Sequence, residues 1–568
     1  MIPPQEKLKK LLELYNSKNF IEAEKMAKLI TSKYPNHQFG WKVLGAVFAH
    51  FNKLEDSLNA NIKALRINDR DPEAYNNLGN ILLKFGNFEN AELNFRKAIK
   101  LRNNYPEAYN NLGNTLRNLN RFKDSQINLR RALSLKENFP EAYNNLGSTL
   151  FQLGKLEEAE DCIKKSISLN SRIPSTYLNL CEILEKNNKL EDLLTLIKDV
   201  KNKFYEHKSD FIYYEALSCF RLEYFDRTEV SLKKINKDEL TKNRILGFLK
   251  LEAEFFQYKQ DYKNAFNSFK EMNNKIKNSI EYKKQKPQKY FTHQLEKISQ
   301  IKELEINKVY ARKIIPSWYQ PTFLIGFPRS GTTLIDTILR GHSKIKVIEE
   351  KPMLQKIYKN TNYLMKISDI EDMNYFNIKN ASDIYFEEAV KHCKIGNDLT
   401  LIDKFPLNIF EIPLINSVFP NAKFILAIRH PYDCVLSCWM QNFKLNNAMA
   451  NMVDLDRIVE LYINSMLFFN ICKKRYKLDY IKIRYEDLVS NFNYEINNLI
   501  SFTGLKMEED MKDYQKSAFS RPSINTPSYS QVVRPLYQSS SYRWLNYKKH
   551  FEKYNYKIEQ FICQYGYA

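Results

Sequence analysis

In the first half of the chain, apolar positions recur as pairs of amphipathic helices on a fixed period. PEAYNNLGN occupies 72–80 and 106–114, and PEAYNNLGS occupies 140–148, each 34 residues after the last. Gly45, Gly79, Gly113 and Gly147 fall on the same period, as do Trp41, Tyr75, Tyr109, Tyr143 and Tyr177. Ala91, Phe95 and Ala98 alternate small and large side chains where the two helices of a pair would cross. One such pair cannot bury its apolar face alone, so the pattern predicts hairpins stacked into a superhelix with a concave groove. The pattern runs from about residue 38 to 173. It weakens in the hairpin at 5–34 and in 174–206, where Cys181 takes the glycine's place. Segments 209–236 and 242–275 read as helix pairs without the signature residues.

From residue 322 the pattern changes to short apolar runs separated by helices, which predicts a parallel sheet. Five runs read as strands: TFLIGF (322–327), KIKVIE (344–349), TLIDK (400–404), KFILAIR (423–429) and YIKIRYE (480–486). The fold class expected is an all-α superhelix followed by a P-loop-like three-layer α/β domain. The boundaries are 1–206 for the repeats, 207–315 for degenerate helical repeats and a linker, and 316–568 for the α/β domain. In such sheets ligands bind beyond the C-terminal strand ends, and each run is followed there by a polar or charged residue type useful in chemistry.

Charge adds one constraint. The chain carries a formal net charge of +21, which suits an anionic ligand or partner, or a solvated basic surface. Interleaved basic and aromatic tracts are not evident, so no nucleic acid partner is expected. The eight cysteines form no CxxC pair; Cys434 and Cys438 are four apart on a predicted helix, with no histidine pair to complete a zinc site. Reduced thiols, no signal-like start and no apolar run of membrane-spanning length together give a cytoplasmic expectation.

The first α/β strand runs into Gly326-Phe-Pro-Arg329-Ser330-Gly331-Thr332-Thr333 and then a helix. Backbone N–H groups at such a helix start bind anionic oxygens. A nucleotide triphosphatase would carry Lys at 332. Thr332 stands there instead and Arg329 lies three residues earlier, which speaks against a P-loop kinase. The fourth strand ends at Arg429, and Ser437 follows two helical turns on. An Arg and a Ser so placed suit a second phosphate, away from the first loop.

These residues reach known families. The 34-residue pattern resembles the tetratricopeptide repeat. PRSGTT after a strand, Arg429 with Ser437, and KIRYEDL at 482–488 resemble the sulfotransferases that use 3′-phosphoadenosine 5′-phosphosulfate (PAPS), over about 320 to 550. PRSGTTLIDTILRGH and VIEE look similar to the tyrosylprotein sulfotransferase branch, as do Asp403-Lys404-Phe-Pro-Leu-Asn408 and Gln531-Val-Val-Arg534-Pro.

The resemblance implies that Arg329, Ser330, Gly331, Thr332 and Thr333 hold the 5′-phosphosulfate. Arg429 and Ser437 then hold the 3′-phosphate, with Tyr485 and Arg534 as further contacts. A phenol attacks with loss of its proton and needs a base. Glu350 matches the base of that branch, with Glu349 as the alternative. Arg329 and Lys404 offset charge on the transferring group, and no metal is expected. His430 and His342 are read as incidental. The implied activity moves a sulfuryl group from PAPS to a hydroxyl acceptor, a protein tyrosine among the candidates; the alternative is an inactive nucleotide-binding scaffold. In the repeats, Asn76, Asn77, Asn110, Asn111, Asn144 and Asn145 are expected to form an amide ladder for an extended peptide, or else to bond the next repeat. The repeats serve acceptor recognition or assembly, a homodimer included.

Overall fold

A computed structural model describes residues 3–169, 172–307, 319–361, 366–396, 398–519 and 541–567. The chain divides into two units, Met1–Leu240 and Thr241–Ala568.

The first unit is a run of helical hairpins from Gln5–Asn16 and Phe20–Lys33 to Lys208–Arg221 and Phe225–Lys234. Helices start at Pro72, Pro106, Pro140 and Pro174, where the missing N–H costs nothing. The periodic glycines mark helix crossings. A Cβ on Gly79 would lie 2.6 Å from the Phe95 ring, and one on Gly113 would lie 2.5 Å from Leu129. Ala91, Phe95 and Ala98 are fully buried in that crossing. The turn inside each hairpin uses a left-handed residue on the same period: Lys18, Asn52, Gly86, Asn120, Gly154 and Asn188 all have φ between 56° and 76°. Asn and Gly suit that conformation.

The second unit opens with a hairpin, Lys242–Tyr258 and Tyr262–Lys277. It packs within this unit: Asn273 donates to the Trp439 carbonyl at 2.9 Å, and the Phe266 ring stacks 4.5 Å from that of Trp439. The sheet has five parallel strands: β1 (Thr322–Gly326), β2 (Ile345–Glu349), β3 (Thr400–Lys404), β4 (Lys423–Ile428) and β5 (Asp479–Arg484). Their order is β2-β3-β1-β4-β5. All five expected strands are present, with ends shifted by two residues or fewer. Adjacent residues face opposite layers. Leu324, Ile402 and Ile425 pack with the helices Thr332–Leu339 and Phe492–Thr503 on one face. Phe323 meets Tyr385, Phe419 and Phe424 on the other. The architecture is therefore an α-helical repeat superhelix followed by a three-layer α/β domain.

No helix among the described residues is long and apolar enough to cross a membrane.

Candidate functional site

The chain leaves β1 in one direction toward β2 and β3 and later returns on the other side through β4 and β5. This places a crevice at the C-terminal ends of β1 and β4, the switch point where such sheets bind ligands. Read across the sheet, the candidate residues fall in one line: Glu349 ending β2 and Glu350 after it, Lys404 ending β3, the 326–333 loop at the end of β1, Arg429 after β4 and Tyr485 after β5.

The loop after β1 is tight. A Cβ on Gly331 (φ +99°) would sit 2.9 Å from the Tyr485 ring, so this close approach needs glycine. Arg329 has φ +69°, an uncommon conformation for a side chain of its size, and sites of this kind cluster where function demands them. Ser330, Thr332 and Thr333 are buried. The Ser330 hydroxyl oxygen is buried without a partner among the described residues, beside a helix start that offers N–H groups. An orphan hydroxyl beside such donors fits a bound phosphate or sulfate oxygen.

The two anion-binding elements are joined. Arg329 donates from Nε to Ser437 Oγ at 3.0 Å, and Arg429 Nη1 donates to the Arg329 carbonyl at 3.4 Å. Ser437 thus contacts Arg329. The Arg429 guanidinium lies 4.9 Å from the Tyr485 ring centre, a cation–π distance. Burial works against its charge, but Asp433 and other neighbours outweigh that and hold its pKa above the ordinary value.

Lys404 is fully buried and donates to Glu350 Oε1 at 2.9 Å and to Glu349 Oε1 at 3.1 Å. Burial disfavours the ammonium; Glu350, Glu349 and Asp336 more than offset it, so the pKa is raised. The two carboxylates differ in access. The Glu349 side chain is 9% exposed and that of Glu350 is 41% exposed. Glu350 is turned outward by φ +49°, and its N–H donates to the Lys404 carbonyl at 2.8 Å.

Behind Arg429 the backbone is braced. The His430 N–H donates to Glu486, whose other oxygen accepts from Tyr567. The His430 ring stacks 5.0 Å from Trp544, and burial followed by the charge of Arg429 pushes its pKa down to about 4. A neutral, enclosed histidine suits bracing rather than chemistry. His342 is likewise structural: it bonds the Lys506 carbonyl through Nε2 and receives the Lys344 N–H at Nδ1.

Arg543 was not singled out by the sequence. Its pKa is lowered, first by burial and then by the charge of Arg429, and its Nε is buried without a partner among the described residues. Asp433 works the other way and supports the charge of both Arg429 and Arg543. The one cue was a basic residue beside Trp544 in SYRW. Gln531 and Arg534 lie outside the described residues.

The asparagines of the repeats bond one another across repeats. Asn111 donates to Asn76 at 3.0 Å, Asn145 to Asn110 at 2.9 Å, and Asn179 to Asn144 at 2.9 Å. The ladder is real, and inter-repeat bonding accounts for these contacts. Asn77 heads it without a partner among the described residues, where Lys42 stands at the equivalent place one repeat earlier and pairs with Asp71 and Glu73.

Residues 321–509 match the model of the sulfotransferase family. Residues 79–120, 106–139 and 140–172 match tetratricopeptide-repeat models. An uncharacterized protein of Aquifex aeolicus is 29% identical over 41% of this chain and 31% of its own length. Protein-tyrosine sulfotransferase A of Caenorhabditis elegans is 23% identical over 39% of this chain and 60% of its own length. Protein-tyrosine sulfotransferase 2 of Gallus gallus is 19% identical over 40% of this chain and 63% of its own length. The chain thus spans less than two thirds of each of these relatives. It joins tetratricopeptide repeats to a domain of the sulfotransferase family.

Proposed function

We propose that the protein transfers a sulfuryl group from PAPS to a hydroxyl acceptor at the C-terminal edge of its sheet. The observation that carries this reading is the line Glu350, Lys404, 326–333 loop, Arg429, Tyr485 across that edge, inside the segment of the sulfotransferase family. A nucleotide with phosphates at both the 3′ and 5′ positions suits its two joined anion-binding elements. The loop from Arg329 to Thr333 would hold the 5′-phosphosulfate. Arg429, with Arg543, would hold the 3′-phosphate, Ser437 would orient Arg329, and Tyr485 would close over both.

The acceptor hydroxyl would give its proton to Glu350 as its oxygen attacks sulfur. The bond from sulfur to the bridging phosphate oxygen breaks, and its electron pair leaves with the nucleoside bisphosphate. Arg329 and Lys404 would offset charge on the sulfonyl and bridging oxygens, the kind of preorganised stabilisation that dominates such transfers. Glu350 is the better base than Glu349 because it is the more accessible of the two. The relatives named for protein tyrosine make tyrosine in a protein the first acceptor to test, with the repeats recognising it.

The test is transfer of label from PAPS carrying a radioactive sulfuryl group to tyrosine peptides, simple phenols and saccharides. Label on one of these classes is expected. Binding of 3′-phosphoadenosine 5′-phosphate with no transfer to any of them would favour an inactive nucleotide-binding scaffold.

A further inference from the structure

We propose that Asp433 is a positioning residue of the donor site: it fastens the segment that carries Arg543 to the helix that follows Arg429. The inference rests on the donor reading given above and adds to it a residue that binds no ligand itself. Asp433 lies in the first turn of the helix Pro431–Trp439 and is 1% exposed. Its Oδ2 accepts from the Tyr542 N–H at 2.6 Å, and its Oδ1 accepts from the Trp544 N–H at 2.9 Å. One carboxylate thus grips the chain on both sides of Arg543, at separations of 109 and 111 residues.

The grip holds Arg543 without using up its donors. Both Asp433 oxygens are engaged by backbone N–H groups. The Arg543 Nη2 donates to Met440 Sδ at 3.5 Å, a weak acceptor, and its Nε is buried without a partner among the described residues. An enclosed donor of this kind is costly to leave unused. A carboxylate paired with Arg543 itself would compete with an incoming phosphate for the same N–H groups. A carboxylate engaged by the backbone leaves the Nε donor available, while its charge still supports both Arg429 and Arg543.

The rest of the same segment is held from another side. Gln257 donates from Nε2 to Tyr547 Oη at 2.8 Å, and the Phe266 ring stacks 3.6 Å from that of His550. Both belong to the hairpin of Lys242–Tyr258 and Tyr262–Lys277. The 3-10 helix Arg543–His550 is therefore pinned at its start by Asp433 and along its length by that hairpin. Recognition of a phosphate by arginine depends on where its planar fork is aimed. Arg543 stands on no strand and no long helix, so its aim depends on these fastenings, with Asp433 the nearest of them.

The test is calorimetric binding of 3′-phosphoadenosine 5′-phosphate and of adenosine 5′-phosphate to the full chain. The ratio of the two dissociation constants reads the 3′-phosphate alone. Asp433→Asn is expected to lower that ratio about tenfold, the scale of one charge-assisted hydrogen bond, with affinity for adenosine 5′-phosphate kept within about twofold. Arg543→Met should give the same loss. In the Arg543→Met background Asp433→Asn should cost no more than about threefold, because the arginine it acts through is already gone. A ratio unchanged in Asp433→Asn, equal weakening of both nucleotides, or the full tenfold cost in both backgrounds would overturn the positioning role and leave the donor site in place. A ratio unchanged in Arg543→Met would overturn it as well, even where Asp433→Asn fails to fold. If the unmodified chain does not bind the bisphosphate more tightly than the monophosphate, the donor reading falls together with it.

Discussion

Arg102, Arg121, Lys136 and Lys189 in the repeats each meet a carboxylate 29 residues earlier in the chain. Along the sheet edge Lys404 is buried against Glu349 and Glu350, whereas the Nε of Arg543 is buried without a partner among the described residues. Pairing on the repeat surface is cheap and repeatable, worth a fraction of a kcal/mol to about 1 kcal/mol for each exposed pair. Crowded buried cations cost stability, and such a cost persists where a ligand is to be held. The two regions thus dispose of charge differently: the repeats balance it in exposed pairs, and the sheet edge buries one balanced cation, Lys404, and another, Arg543, with an unsatisfied Nε.

The contrast can be tested by substitution. The largest effect is expected at Lys404, which neutralises two carboxylates in a fully buried place. Lys404→Ala should lower kcat for sulfuryl transfer by about 10²–10³-fold, the scale of one lost preorganised donor, and should also lower the melting temperature of the α/β unit. Retention of kcat near the unmodified value would remove Lys404 from the chemistry.

Asp403 comes next, and its effect is on stability. Its carboxyl is buried, accepts from Tyr385 at 3.0 Å, and has its pKa raised by burial from 3.8 to about 7. Because the folded pKa lies above the unfolded one, the carboxyl is protonated in the fold. Its stabilising contribution is therefore full below about pH 4 and is lost as pH rises through about 7. The ceiling on this change is about 4 kcal/mol. Asp403→Asn should flatten the fall in stability of the α/β unit between pH 4 and 7, measured by urea unfolding at a series of pH values. An unchanged slope would show that another group carries it.

Arg429→Ala should weaken binding of 3′-phosphoadenosine 5′-phosphate by about 1.5–3 kcal/mol, the loss of a charged hydrogen bond, as measured by calorimetry. Unchanged affinity would remove Arg429 from the nucleotide site. The smallest effect belongs to the repeats: Asn145→Ala deletes one rung of the ladder and should cost about 0.5–1.5 kcal/mol in unfolding of the first unit, with nucleotide affinity untouched.

How much of this was legible in the sequence follows the same division. The repeats could be read because their contacts are local and periodic: Gly45, Gly79, Gly113 and Gly147 face Asn61, Phe95, Leu129 and Ile163, each 16 residues on. The strands could be read because buried parallel strands are short apolar runs, and their C-terminal ends led to Arg329, Lys404 and Arg429. What the sequence did not show was which groups meet. The bond from Arg329 to Ser437 joins residues 108 apart, and Arg543 comes to Arg429 from a segment with no strand or motif to mark it. The ladder recurs visibly, but its last donor, Asn179, sits in a repeat whose signature has decayed.

The most direct measurement concerns Glu350, the outward-facing carboxylate beside Lys404. Donor-product affinity and sulfuryl transfer are measured in parallel on the unmodified chain and on Glu350→Gln, with any acceptor the unmodified chain sulfates. The expected result is affinity within about twofold of the original, with turnover lowered by about 10²–10⁴-fold, the scale of general base catalysis. Full turnover in Glu350→Gln would contradict the assignment of the base, and absence of both nucleotide binding and transfer in the unmodified chain would contradict the transferase reading itself.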